Sequence, residues 1–331
     1  MASLIELPEA HALRSLSRDG RLLFATRVVR MFAFGLLSVV LVLYLAGQGL
    51  AETQVGLLLT WTLVGDAILS LAITLVADRW GRRRMLMLGA LLMILAGAIL
   101  ALTGSVLLLS LAAIVGTLSP GGSEVGAFLA IEQAALPQIT HDRLRTTVFA
   151  WYNLVGSFAT ALGALSAGTL AGALQQASYA PLASYRVIVG VYAFLGIVLL
   201  FLFARLSNQI EAGSGTATTT APRFGLQQSR NIVFKLSALF MLDAFAGGLV
   251  LQSVIAYWFY RRFGIEVAVL GQIFFGANIL AGLSALAAGR LAARIGLIHT
   301  MVWTHIPSNV LLMLVPLMPT APLAIAVLLA R

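Results

Sequence analysis

The chain has 331 residues, of which 60% are hydrophobic and only 10% are charged, and its formal net charge is +9. Such a composition excludes an ordinary soluble domain, which needs far more polar surface, and the absence of cysteine excludes disulfides and thiolate metal sites. The basic residues lie between apolar runs and do not form a continuous patch, so we expect no nucleic-acid partner. The expected surroundings are a lipid bilayer.

Apolar runs of about 20 residues, the length that spans a bilayer as a helix, recur from residue 22 to the chain end. Residues 1–21 lack such a run and predict a cytoplasmic amino-terminal segment. The sequence predicts an all-α membrane protein with nine complete transmembrane helices and a partial tenth that begins near 321. The nine predicted spans cover residues 22–47, 54–77, 85–104, 106–136, 146–174, 185–205, 232–260, 267–291 and 297–318.

A polar stretch divides these spans into two groups. Residues 206–231 are rich in Gly, Ser and Thr, which is typical of a flexible linker. We therefore predict an amino-terminal six-helix bundle over 22–205, a cytoplasmic linker over 206–231, and an incomplete carboxy-terminal bundle over 232–331.

The positions of the basic residues predict the orientation, because cytoplasmic loops are enriched in Lys and Arg. If the amino terminus is cytoplasmic, seventeen of the basic residues fall on the cytoplasmic side or near it, and three fall outside. The three outside are Arg186, Arg261 and Arg262. We expect a multi-pass protein of the plasma membrane, which is the inner membrane if the source is bacterial.

Two segments of the chain repeat one pattern. Gly56 and Gly81 are 25 residues apart, as are Gly271 and Gly296, and an arginine precedes the second glycine by two residues in both copies. The first copy ends in TLVADRWGRR. This sequence resembles the Gly-x-x-x-Asp-Arg-x-Gly-Arg-Arg signature of the major facilitator superfamily, whose transporters contain two related bundles. The matching residues are Asp78, Arg79, Gly81, Arg82 and Arg83.

The resemblance implies a two-bundle transporter that moves a small solute by alternating access. It also implies that the arginine-rich loop steadies one conformation of the transporter. We expect Glu132, near the cytoplasmic end of the fourth span, to pair with Arg79 or Arg82 when the cytoplasmic side is closed. The family has twelve spans, and the sequence predicts nine and part of a tenth.

Charged residues within the spans are the candidates for solute binding and proton coupling, because each costs about 2.5–3.5 kcal/mol at the bilayer centre. They are Arg30, Asp66, Glu124 and Asp243. Asp66 lies in the middle of the second span, and we predict that it couples transport to protons. Arg30 and Asp243 occupy equivalent repeat positions and could form a contact between the halves. The alternative partners of Arg30 are Asp66 and Glu124.

The expected function is proton-coupled secondary transport by a monomer that needs no cofactor and no metal ion. The histidines are scattered without ligand spacing. A multipass membrane enzyme would need a nucleophile–base pair or a metal set at membrane depth, and the sequence offers neither. The remaining alternative is a non-transporting fragment of a transporter of this family.

Overall fold

The computed structural model describes residues 16–116, 118–122, 126–211, 230–248 and 250–331. These residues form twelve α-helices. They are α1 Arg18–Gly47, α2 Glu52–Trp80, α3 Arg82–Leu102, α4 Val106–Val115, α5 Ala127–Ala135, α6 Arg145–Gln176, α7 Pro181–Ala204, α8 Arg230–Gly248, α9 Gln252–Phe263, α10 Val267–Ile295, α11 Leu297–Leu314 and α12 Ala321–Ala330. We call the part up to residue 211 the first half and the part from residue 230 the second half.

Seven of these helices contain segments long and apolar enough to cross a membrane, namely α1, α2, α3, α6, α7, α10 and α11. Two predicted spans are interrupted instead. The span predicted over 106–136 is divided into α4 and α5, and the span predicted over 232–260 is divided into α8 and α9. The sequence Pro120-Gly121-Gly122 explains the first interruption, because proline and glycine both disfavour a helix interior.

The repeat has a structural counterpart in two glycine junctions. A single residue, Gly81, separates α2 from α3, and a single residue, Gly296, separates α10 from α11. Their φ angles are +101° and +86°, which glycine adopts without strain. The predicted loop after the second span is therefore one residue long, and its arginines lie on the ends of the two helices.

The first half is built around α1. Almost every residue of α1 from Met31 to Leu45 is buried, because α1 packs against both α6 and α7 while α9 of the second half covers a further face. Helix α3 packs on α7, and α2 packs on α4 and α5. A helix that is apolar on all sides is expected at such a central position.

The largest contacts between the described parts of the two halves are those of α6 with α10 and of α1 with α9. The first is close because Gly168 and Gly271 bring the two backbones together. Gly282 of α10 still packs on Ser157 of α6, whereas the side chains of residues 283–287 are exposed. The two halves therefore meet along only part of the length of α10.

The two ends of the bundle differ in charge. The basic end contains the start of α1 and the α2–α3 junction with Arg79, Arg82, Arg83 and Arg84. The opposite end contains the turn between α1 and α2 and the end of α9, where Glu52 contacts Arg261.

Candidate functional site

The first polar site is a buried cluster around the carboxylate of Glu132. Helix α5 places Glu132 against α1 and α6. Arg30 donates two hydrogen bonds, one to each carboxylate oxygen, at 3.0 and 2.6 Å. The Thr26 hydroxyl donates to Oε1 at 2.9 Å, and the Tyr152 hydroxyl donates to Oε2. We call Thr26, Arg30, Glu132 and Tyr152 the Glu132 cluster.

All four side chains of the Glu132 cluster are fully buried. Charged groups are stable in such surroundings only when they are paired and hydrogen bonded, and the bidentate geometry of Arg30 meets that need. The Arg30 guanidinium also lies 4.8 Å from the centre of the Phe128 ring, and the Arg27 guanidinium lies 4.7 Å from the centre of the Tyr152 ring. The cluster joins three helices of the first half.

The pairing of Glu132 with Arg79 or Arg82, which the sequence predicts for the state with a closed cytoplasmic side, stays a prediction. In this conformation Glu132 contacts Arg30 instead. The reason is the direction of α5, which turns Glu132 toward α1 at the level of Arg30. Of the partners considered for Arg30, Glu124 and the side chain of Asp243 lie outside the described residues.

The second polar site is the α2–α3 junction. Arg82 is buried and contacts Asp78 at 3.1 Å, the Gln138 side chain at 3.0 Å and the Ile210 carbonyl at 3.3 Å. Arg83 donates to the Ala204 carbonyl at 2.5 Å. These contacts anchor the junction to the end of α7 within the first half.

Glu211 completes this junction. Its carboxylate accepts hydrogen bonds from the backbone N–H groups of Arg82 and Arg83 at 2.6 and 3.3 Å. These groups belong to the first turn of α3, where unpaired N–H donors favour an anion. Three arginines in a first turn oppose the helix dipole, and the carboxylate of Glu211 offsets part of that cost.

Asp66 lies in the middle of α2 and is half-buried. A Cβ atom on Gly126 would lie 3.1 Å from its Oδ1 atom, so the carboxyl is beside the start of α5, next to the interruption. In the described part of the chain Asp66 has no ion-pair partner.

The third polar site is where the two interrupted spans meet. The backbone N–H of Ser253 donates to the Pro120 carbonyl at 3.1 Å. The Gln252 side chain donates to the Ser38 hydroxyl at 2.8 Å and accepts from the Asn278 amide at 3.2 Å. We call Ser38, Pro120, Gln252, Ser253 and Asn278 the inter-half junction.

A fourth contact lies at the opposite end. The Tyr257 hydroxyl donates to Glu52 at 3.3 Å, and Arg261 lies 3.9 Å from the same carboxylate. All three groups are exposed or partly exposed. Besides the packing of α6 on α10, the halves are joined by a partly buried, uncharged contact and by an exposed, charged contact further toward the opposite end.

Sequence reasoning missed several residues of these sites. Gln252, Asn278 and Ser38 are neutral polar residues in apolar runs, and their only signal is their polarity within a span. Glu211 falls in the stretch that composition identifies as a linker. Tyr152 resembles an ordinary interfacial aromatic residue. Charge at depth did identify Arg30, and the signature did identify Asp78 and Arg82.

Residues 23–330 match the family described as Major Facilitator Superfamily. The chain belongs to the major facilitator superfamily. It is 28% identical over 330 residues to a Saccharomyces cerevisiae (strain ATCC 204508 / S288c) protein described as "Uncharacterized membrane protein YJR124C", with 91% of this chain and 74% of that protein covered.

The fold is also found in a solved structure, titled "Crystal structure of D-xylose-proton symporter". The TM-score is 0.60 at 15% identity, and the match covers 94% of this chain and 77% of that one. Identity this low supports the shared fold alone. The expected fold class, an all-α multi-pass membrane protein of the major facilitator type, is confirmed. The family consists of transporters of small solutes and not of enzymes.

Proposed function

We propose that the protein is a proton-coupled secondary transporter that moves a small solute by alternating access. The observation that carries this proposal is the position of the polar contacts between the halves. The inter-half junction and the Glu52 contact hold the halves together at mid-depth and at the opposite end. Beyond Gly282 toward the basic end, the side chains of residues 283–287 are exposed. A transporter closed at one end and open at the other has this pattern.

The membrane orientation is part of the proposal. The basic end contains Arg79, Arg82, Arg83 and Arg84, and basic residues near span ends are retained in the cytoplasm. We assign the basic end to the cytoplasm, so that the conformation described above opens inward. The arrangement predicts that a cysteine at the exposed Tyr179 is labelled from outside intact cells by an impermeant maleimide. Labelling only after permeabilisation would reverse the orientation.

Asp66 is the proposed proton-coupling residue. It is half-buried at the middle of a spanning helix. A carboxylate at this depth is energetically costly, so such residues usually have a functional role. The solved structure that shares this fold is titled a proton symporter, which supports protons as the coupling ion. The Arg30–Glu132 pair is less suited to this role, because its carboxylate already accepts four hydrogen bonds in full burial.

The test uses the full chain in proteoliposomes with an interior pH dye and a panel of candidate solutes. Wild type should show solute-driven proton movement. Asp66→Asn should lose it and retain part of the solute exchange, because exchange needs no net proton transfer. The exposed Asp142 provides a matched control, and Asp142→Asn should behave as wild type. Unchanged proton movement in Asp66→Asn would refute the assignment, and a wild type without any transport would favour the non-transporting alternative.

A further inference from the structure

The inter-half junction lies at the depth where a transported solute would have to pass between the halves. Ser38 is nine residues from the end of α1 and Asn278 is eleven residues from the start of α10. At 1.5 Å per residue both lie roughly 14–17 Å from the opposite end. The hydrocarbon core is about 30 Å thick. The junction is therefore close to the middle of the membrane.

The two interruptions shape the junction. Helix α4 ends at Val115 and α5 begins at Ala127, and α9 begins at Gln252. Interrupted helices leave backbone groups without intrahelical partners, and these groups need other partners inside a membrane. The Pro120 carbonyl finds one in Ser253, and the Gly122 carbonyl accepts a 3.4 Å hydrogen bond from Thr160. Gly122 itself has a φ of +68°, and a Cβ there would lie 3.2 Å from the Ser38 hydroxyl.

The side chains of Gln252 and Asn278 at the inter-half junction have hydrogen-bonding groups that their present contacts do not use. Gln252 and Asn278 are half-buried, whereas Ser38 is fully buried. Each carboxamide has two N–H donors and one carbonyl acceptor. Within the described residues, the Asn278 carbonyl has no partner and Gln252 uses its amide nitrogen for one bond only. Both side chains can therefore accept a further polar group without losing their present contacts.

The described groups of the junction carry no charge. They are hydroxyls, carboxamides and backbone carbonyls, which offer both donors and acceptors. Of the charged residues deep in the first half, Arg30 and Glu132 are paired within the buried Glu132 cluster, and Asp66 lies beside Gly126 at the start of α5. The described groups of the junction themselves offer an ionic solute no counter-charge to offset its desolvation. A neutral solute with hydroxyl or amide groups would match it.

We propose that Gln252 and Asn278 bind an uncharged solute rich in hydroxyl or amide groups. This proposal rests on the transport function proposed above and names its substrate class. Gln252 also holds the two halves together through its hydrogen bond to Ser38, and a solute bound to the second N–H of the same amide lies directly beside that contact. The solute and the opening of the opposite end are linked through one side chain.

The test measures binding without a proton gradient. Its probes are erythritol, xylitol, xylose and glucose, together with glucosamine and glucuronate as charged counterparts of glucose. Binding is followed by calorimetry and thermal shift on the full chain in nanodiscs. We expect at least one neutral probe to bind wild type and its charged counterparts to bind at least tenfold more weakly. Gln252→Leu and Asn278→Leu should each weaken binding about tenfold, the effect of losing a hydrogen bond to a ligand.

A matched control is Gln175→Leu, because Gln175 is also half-buried but bonds Ser184 within the first half. It should leave binding unchanged. Asn278→Asp distinguishes a loss of binding from misfolding, because the new carboxylate should change the preferred probe from glucose to glucosamine. A misfolded variant would bind neither probe. Three results would overturn the proposal: no neutral probe binds, a charged probe binds best to wild type, or both leucine variants bind as wild type does. If Asp66→Asn loses proton coupling but still binds the probes, the proposed binding by Gln252 and Asn278 is supported independently of the coupling residue.

Discussion

The Glu132 cluster is fully buried and the inter-half junction is partly buried, and the two polar sites also differ in charge and in position. The cluster contains an ion pair and joins helices of one half. The junction contains only neutral groups and joins the two halves. Separating a buried ion pair exposes two charges to an apolar interior, whereas separating amides from hydroxyls costs far less. Strong contacts are therefore found within one half, and weak ones between the halves, which the proposed alternating access would separate.

The largest expected effect comes from breaking the Glu132 cluster. Glu132→Ala leaves the Arg30 guanidinium buried without its carboxylate, which should lower the free energy of unfolding by about 3–5 kcal/mol. The measurement is thermal or denaturant unfolding of the purified protein. The double variant Arg30→Met with Glu132→Leu should recover much of this loss, because it removes both charges together.

An exposed ion pair provides the control for this first prediction. Asp142 and Arg145 are 2.8 Å apart at the surface, and Asp142→Ala should change stability by less than about 1 kcal/mol. Similar losses in Glu132→Ala and Asp142→Ala would mean that burial adds nothing to the pair. The contrast between the two polar sites would then lose its basis.

An intermediate effect is expected at the junction. Ser38→Ala removes the acceptor of the Gln252 amide and should favour separation of the halves by about 1 kcal/mol, roughly a fivefold change in population. Because the chain has no cysteine, Ala256→Cys introduces a single thiol. Ala256 is fully buried on α9, so its labelling should report opening at the opposite end.

Faster labelling in the Ser38→Ala background is the expected result, with little change in the temperature of unfolding. Tyr260→Cys on the exposed face of the same helix controls for access of the reagent. A large loss of stability without faster labelling would show that Ser38 supports the first half alone. The junction would then resemble the Glu132 cluster instead of differing from it.

The sequence predicted these two sites unequally, for physical reasons. Span positions follow from the length of apolar runs, so most predicted spans agree with the helices within a few residues. Pro120-Gly121-Gly122 accounts for the first interruption, although hydropathy predicts a continuous span over 106–136. The second interruption comes directly after Gly247-Gly248, and these glycines lie in a continuous apolar run. A hydropathy profile therefore does not detect it. The partner of Glu132 depends on how α1, α5 and α6 are rotated, and no spacing within one helix contains that information.

The smallest expected effect is at the exposed contact between the halves. Glu52 and Arg261 are 3.9 Å apart, and their side chains are 73% and 64% exposed. Water and salt screen such a pair, so Glu52→Gln should stabilise the separated state of the halves by only about 0.5 kcal/mol or less. Its effect on the labelling rate of Ala256→Cys should therefore be smaller than the effect of Ser38→Ala. Raising the ionic strength should reproduce this small change in the wild-type background and have no further effect in Glu52→Gln. If Glu52→Gln instead accelerates labelling more than Ser38→Ala, charge at the opposite end dominates the closure, and the neutral junction is secondary to it.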